Sequence, residues 1–173
     1  MTTSAPTATS RTTFIRPILE EFTGNLLRSV DCVHVYSMLI PPITTQEQFK
    51  DFLAIQEGFD QSKLEAWYVA VGDFRNDPQF RGTWSQYGQR HEVKVTGWVW
   101  HNNFQSSYKY IHDQVEKIVW TLEKNKGGGS SEVNEISGVE ARFRWQKLGE
   151  IYLHTSEVQF IALLTVTEPS GRV

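Results

Sequence analysis

An alternating strand that runs straight into an amphipathic helix, His91 to Leu122, constrains the fold more than any other stretch. Val93, Val95 and Val99 fall on one side of the strand and Lys94, Thr96, Trp98 and Trp100 on the other, the period of two expected where one sheet face meets a core. The turn His101-Asn102-Asn103 carries no proline, and Ser106 or Ser107 is placed to cap a helix by accepting a hydrogen bond from a first-turn N–H. Tyr108, Ile111, Val115, Ile118, Val119 and Leu122 then recur at offsets of 3, 7, 10, 11 and 14, one stripe of a helix. Burying each such side chain is worth about 1.5–3 kcal/mol before conformational entropy is subtracted. A helix over Ser107–Lys124, laid across the sheet, is the expectation.

The flanking segments extend this plan. Residues 1–13 hold little to bury and read as a flexible arm, neither signal peptide nor membrane anchor. Pro17 suits a first helical turn, and Ile18, Leu19, Phe22, Leu26 and Leu27 follow at helical spacing to about Arg28. Val30–Ile40 reads as a first strand stopped by Pro41-Pro42, with the lone Cys32 as a small buried side chain and no disulfide possible within one chain. Thr44-Thr45-Gln46-Glu47 has the pattern of a capping box before a short helix at 45–57. Trp67–Val71 is a second strand closed by Gly72-Asp73. Residues 127–138, opening on three glycines, read as a mobile loop. Val139, Ala141, Phe143 and Trp145 then alternate with Glu140, Arg142, Arg144 and Gln146, giving a strand with one buried and one basic face. Gly149 marks a turn, Val158–Val166 is apolar on both faces and so central, and 169–173 forms a C-terminal tail. The sum is one α+β domain over 14–168: a mainly antiparallel sheet, a long helix packed across one face, an N-terminal helix and a short second helix.

The stretch 73–90 is longer than most connections and carries four aromatics, which argues for a projecting arm ordered against something else. Phe74, Arg75, Phe80, Arg81, Trp84, Tyr87 and Arg90 have the composition of a protein-contact hot spot, and equally of a surface for single-stranded nucleic acid. A net charge of −3 disfavours non-specific DNA binding. Arg142 and Arg144 add a basic row that meets either solvent, an acidic partner or DNA. Six Trp and 13% aromatics raise the weight of subunit interfaces.

Reactive constellations are scarce. None of the five histidines sits in an HExxH or CxxC setting, and His112 with Glu116, four apart on one helix face, needs further ligands from His91 or His101 to hold a metal. No phosphate-cradling glycine motif or nucleophile elbow is present. Glu65, Glu92, Glu140 and Glu150 form an acid–base pair only if the fold brings them together. No cofactor is expected, and no segment reaches the apolar length a membrane span needs.

The order of elements carries a resemblance. An opening helix, a Thr83-Trp84 in a connecting loop, the strand His91–Trp100, the helix Ser107–Lys124 and the closing run Glu157–Val166 resemble the tail terminator family of tailed bacteriophages, related to other neck and tail-completion proteins. The resemblance spans roughly residues 14–168 and rests on layout. It implies a non-enzymatic virion protein, assembled in the host cytoplasm, whose hexameric ring caps the tail tube, ends tail polymerisation and joins the head connector. Its partners would be copies of itself, the tail tube protein and neck proteins, with DNA passing through the ring without specific binding. Two readings stay beside it: another head–tail connector or tail-completion component, and a small-molecule-binding α+β enzyme with a pocket lined by Trp98, Trp100 and Tyr68.

Overall fold

The computed structural model describes residues 15–37, 44–45, 47–48, 63–77, 86–101, 103–127 and 133–167. Along these the chain forms α1 (Ile15–Ser29), β1 (Val35–Tyr36), β2 (Lys63–Asn76), β3 (Gln86–His101), α2 (Phe104–Lys124), β4 (Val133–Leu148) and β5 (Ile151–Thr167). The strands make one sheet in the order β1-β2-β3-β5-β4. Only β1 and β2 run parallel, so the fold is α+β with a mostly antiparallel sheet, as the sequence implies. Residues 1–13, the tail 169–173 and most of the short helix expected at 45–57 lie outside the described residues.

One sheet face carries the main core. Val93, Val95 and Val99 of β3 and Val158, Phe160, Ala162 and Leu164 of β5 meet Ile111, Val115, Ile118 and Leu122 of α2 and Leu19, Leu26 and Leu27 of α1. The longest strands, β2, β3, β5 and β4, supply almost all of the sheet, and α2 lies across β3, β5 and β4 while α1 covers β1 and β2. The opposite face holds a smaller cluster of Ala66, Tyr68, Trp98, Leu148, Ile151 and Leu153, against which Tyr36 and Trp100 pack. Tyr68 and Trp98, two of the residues expected around a small-molecule pocket, are buried within this cluster. Central placement of β5, between β3 and β4, follows from its apolar residues on both faces.

Local chemistry explains several differences from the sequence reading. The cap of α2 is Asn103, not Ser106 or Ser107: its side-chain oxygen accepts from Gln105 N and Ser106 N, and the helix starts at Phe104. Tyr108, expected on the buried stripe, is instead exposed because it lies over the sheet margin. The strand expected over Val30–Ile40 shortens to Val35–Tyr36 within the described residues. Its first residues are taken by the end of α1, where Cys32 N bonds Leu27 O and Asp31 N bonds Arg28 O, with Asp31 in the left-handed region at φ 64°. Cys32 itself is buried as expected, and burial among apolar atoms and near Glu65 pushes its thiol up to about 12. The capping box shifts by one residue, since Gln48 N donates to Thr45 Oγ1 while Gln48 Oε1 accepts from Thr45 N.

Two features fix strand register. Trp67 lies opposite Gly97, and a Cβ at Gly97 would stand 2.3 Å from Trp67 Cζ3, so the indole occupies the space a side chain would need. In β4 the residues 133–138, expected in a mobile loop, are strand, and a bulge between Ser137 and Glu140 interrupts the pairing with β5. Gly138 sits within it at φ 62°. Before the bulge Ile136 pairs with Ala162 of the core face. After it Ala141 pairs with Val158, Phe143 with Ser156 and Trp145 with His154, all on that same face. The inserted residue therefore keeps Ala141, Phe143 and Trp145 on the side of Ile136, while Leu148 joins the cluster on the other face.

Candidate functional site

The stretch 73–90, expected as an arm, is strand over most of its described residues. Strands β2 and β3 run on past Val71 through Asn76 and from Gln86, pairing Phe74 with His91, Arg75 with Arg90 and Asn76 with Gln89 beyond a bulge at 71–74. Arg90 Nη2 lies 3.0 Å from Asp77 Oδ2, Asp77 N donates to Gly88 O at 2.8 Å, and Phe74, itself exposed, stacks on His91 at 5.3 Å. Burial lowers the pKa of His91 from the ordinary imidazole value. Of the arm residues named from sequence, Phe80, Arg81 and Trp84 and the side chain of Tyr87 lie outside the described residues.

Arg142 and Arg144 lie elsewhere, exposed on β4 on the face away from the helices. The expectation that Phe143 and Trp145 behind them are buried fails. A helix rises about 1.5 Å per residue and a strand about 3.3 Å. The 21 residues of α2 therefore span about 31 Å against about 53 Å for the 16 of β4. The strands outrun their cover, and the apolar face of 141–147 is left open.

At that open end an aromatic margin forms. Phe104 and Tyr108 from the first turns of α2 meet Tyr152 and His154 of β5 and Phe143 and Trp145 of β4, and Phe104, Tyr108, Phe143, Trp145 and Tyr152 are between 39% and 61% exposed. The rings are in contact: Phe104 with Tyr152 at 5.7 Å and near-perpendicular, Trp145 with Tyr152 at 6.0 Å, and His112 stacked on Phe143 at 3.7 Å. Lys147 Nζ sits 5.5 Å above the Tyr152 ring. By register this margin and the arm occupy opposite ends of the sheet: Gln89 faces Leu164 and Val99 faces His154. Ten residues of β5 separate the two points, about 33 Å.

A buried polar pair underlies the margin. Ser107 Oγ and His154 Nδ1 are 2.8 Å apart, and Ser107 Oγ also donates to Phe104 O at 3.0 Å. With the serine proton so committed, His154 carries its hydrogen on Nδ1 and leaves Nε2 as a buried acceptor with no partner among the described residues. Burial, then the neighbouring His112 and His101, lower its pKa. A serine beside a histidine has the outline of a nucleophile and base, but Ser107 is 0% exposed and admits no substrate.

Other expected chemistry disperses. Glu65 is held by Trp67 Nε1 and the Tyr110 hydroxyl, each at 2.6 Å; Glu92 lies on β3, Glu140 beside Arg142 on β4, and Glu150 in the β4–β5 turn, so the four do not converge. His112, stacked on Phe143, joins no cluster: among the described residues no group of three or more His, Cys, Asp or Glu is placed to hold a metal ion. An open depression of about 580 Å³ on the outer face of α2 is lined by Asp113, Glu116, Lys117 and the exposed Trp120. No helix among the described residues is long and apolar enough to cross a membrane.

Sequence reasoning missed Phe104, Tyr108 and Tyr152 as a surface group lying over the buried His154. The available signal was the mismatch between strand length and helix reach. No protein-family model and no curated protein matches the chain. Among solved structures, a chain described as "Virion of native gene transfer agent (GTA) particle" is similar at 11% identity with a TM-score of 0.39, covering 86% of this chain and 93% of that chain.

Proposed function

We propose that this chain is a structural protein of a tailed-phage-type particle, acting in the neck as a subunit of a ring that caps the tail tube, ends tail polymerisation and joins the tail to the head connector. The observation that carries the proposal is the aromatic margin: exposed Phe143, Trp145 and Tyr152 on the last strand pair, only partly covered by the first turns of α2. Contiguous exposed aromatics of this kind mark contact surfaces rather than monomer surfaces. The element order of the sequence supplies the neck assignment, and the two separated surfaces, arm and margin, suit a subunit that meets more than one neighbour. Head-to-tail contacts close into a ring when the rotation between subunits permits.

The test is direct. Purified protein is measured by native mass spectrometry and electron microscopy, and purified particles are searched for the chain by peptide mass spectrometry with antibody labelling. A closed ring and label at the head–tail junction support the assignment. A monomer at all concentrations, or absence from particles, overturns it.

A further inference from the structure

Over 140–147 the outer edge of β4, last in the strand order, pairs with no strand among the described residues and differs from an ordinary protected edge. Over 140–147 both faces of the strand are exposed. The aromatics Phe143 and Trp145 stand on the core side, and Arg142 and Arg144 on the other. The stretch holds three cationic side chains and one acidic one in a chain of net charge −3. Charge alternates across the sheet towards this edge. Lys94 Nζ of β3 reaches Glu157 Oε2 of β5 at 3.7 Å, and Glu157 stands directly opposite Arg142 of β4. The only ion pair of Arg142 among the described residues is with exposed Glu140, at 3.4 Å and too wet to satisfy it. The next row, one strand spacing outward, calls for a carboxylate.

From this we infer that β4 takes up an added strand from another protein, an extended segment alternating apolar and acidic residues. The segment's backbone pairs with the edge over 140–147, its apolar side chains cover Phe143 and Trp145, and its carboxylates meet Arg142 and Arg144. A second copy of β4 fits worse. Two-fold pairing brings two net-positive edges together, and when centred on Phe143 it sets Arg142 opposite Arg144 twice. The inference rests on the reading of the margin as a contact surface and names the chemistry of its partner.

The probe is a capped peptide alternating valine and glutamate, compared with the same peptide carrying lysine for glutamate and with a version N-methylated at every residue, which cannot donate edge hydrogen bonds. Affinity is measured by calorimetry and the site by amide chemical shifts of the full-length protein. The glutamate peptide is expected to bind at least about tenfold tighter than the lysine peptide, with shifts centred on 140–147. N-methylation should abolish binding, and Arg142→Glu with Arg144→Glu should reverse the preference. Because both positions are exposed, an unchanged melting curve shows that the variant is folded; Arg142→Gln with Arg144→Gln, which should remove the preference without reversing it, serves as the second variant. Equal binding of the two peptides, no binding, binding that survives N-methylation, or occupancy of the edge by a second copy overturns the proposal. Ring formation, measured separately, decides the neck assignment, so rings without peptide preference refute strand addition alone.

Discussion

Replacing Gly97 by Ala places a methyl group inside the Trp67 ring system. The new Cβ would lie 2.3 Å from Cζ3 and 2.7 Å from Cε3 of Trp67, and 2.7 Å from Ser156 Oγ. Comfortable carbon–carbon contact is about 3.5–4.0 Å, so the ring must retreat by more than about 1 Å. It has nowhere to go: Trp67 is fully buried, and its Nε1 donates to Glu65 Oε1 at 2.6 Å. Overpacking a tight core costs about 1–3 kcal/mol. Pulling the indole off the carboxylate forfeits a charge-assisted hydrogen bond of about 1.5–3 kcal/mol. The stiffer unfolded chain returns about 0.4–1 kcal/mol. The net expectation is a loss of about 3 kcal/mol, or a melting temperature lower by roughly 6–12 °C for a chain of this size. Urea unfolding followed by circular dichroism reads it, with Gly97→Ala repeated in a Trp67→Leu background. There the same methyl should cost less than about 1 kcal/mol, because the opposing ring is gone. A loss below about 1 kcal/mol in the parent chain, or the same loss in both backgrounds, would show that Trp67 does not lie on Gly97.

Four further outcomes are expected. Asp31→Gly, which relieves a non-glycine residue at φ 64° in the cap of α1, should raise stability by about 0.5–1 kcal/mol with an unchanged urea slope. His154 and His91 both have pKa values below the ordinary 6.5 in the folded chain, so the unfolded chain binds more protons as pH falls below about 6.5. Their contribution is complete above that value and lost as pH drops towards the folded pKa, at no more than about 1.4 kcal/mol per pH unit for each histidine; a urea midpoint that stays level from pH 7 to pH 5 would contradict it. Trp145→Ala should change stability by no more than about 0.5 kcal/mol yet weaken binding of the valine–glutamate peptide by about 30-fold, as read by calorimetry. Excision of 74–87 should leave a folded monomer that does not assemble, and rings from the shortened chain would remove the arm from the interface.

The parts of the fold that the sequence shows plainly are those set by local period. Val93, Val95 and Val99 face the core because a strand alternates, and Ile111, Val115, Ile118 and Leu122 do so because a helix repeats. Coverage is a different matter. Ala141, Phe143 and Trp145 alternate as a buried face does, and they do share the core side of the sheet. Whether anything lies over them depends on the length of α2 and its position, which no window of β4 encodes. The arm hid for the opposite reason: Arg75, Arg90, Asn76 and Gln89 are polar, and backbone pairing with the Arg90–Asp77 contact sustains the strands where no apolar pattern signals them. The start of α2 lies three residues before the expected Ser107 because the Asn103 side chain caps it, where the neighbouring serines offer a more familiar signal. The Ser107–His154 pair, 47 positions apart, became visible only when α2 was laid on β5.

The bulge around Gly138 gives β4 an unusual relation to chain length. Because the extra residue is what puts Ala141, Phe143 and Trp145 on the side of Ile136, an in-frame loss of one codon there would turn the outer half of the strand over without altering any other residue. The aromatics would then face away from the helices and Arg142 and Arg144 towards them, exchanging an aromatic margin for a cationic one. A single deletion would thus do what several coordinated substitutions would otherwise have to do, making the spacing of this strand, rather than its composition, the simplest route by which descendants of this chain could change partners.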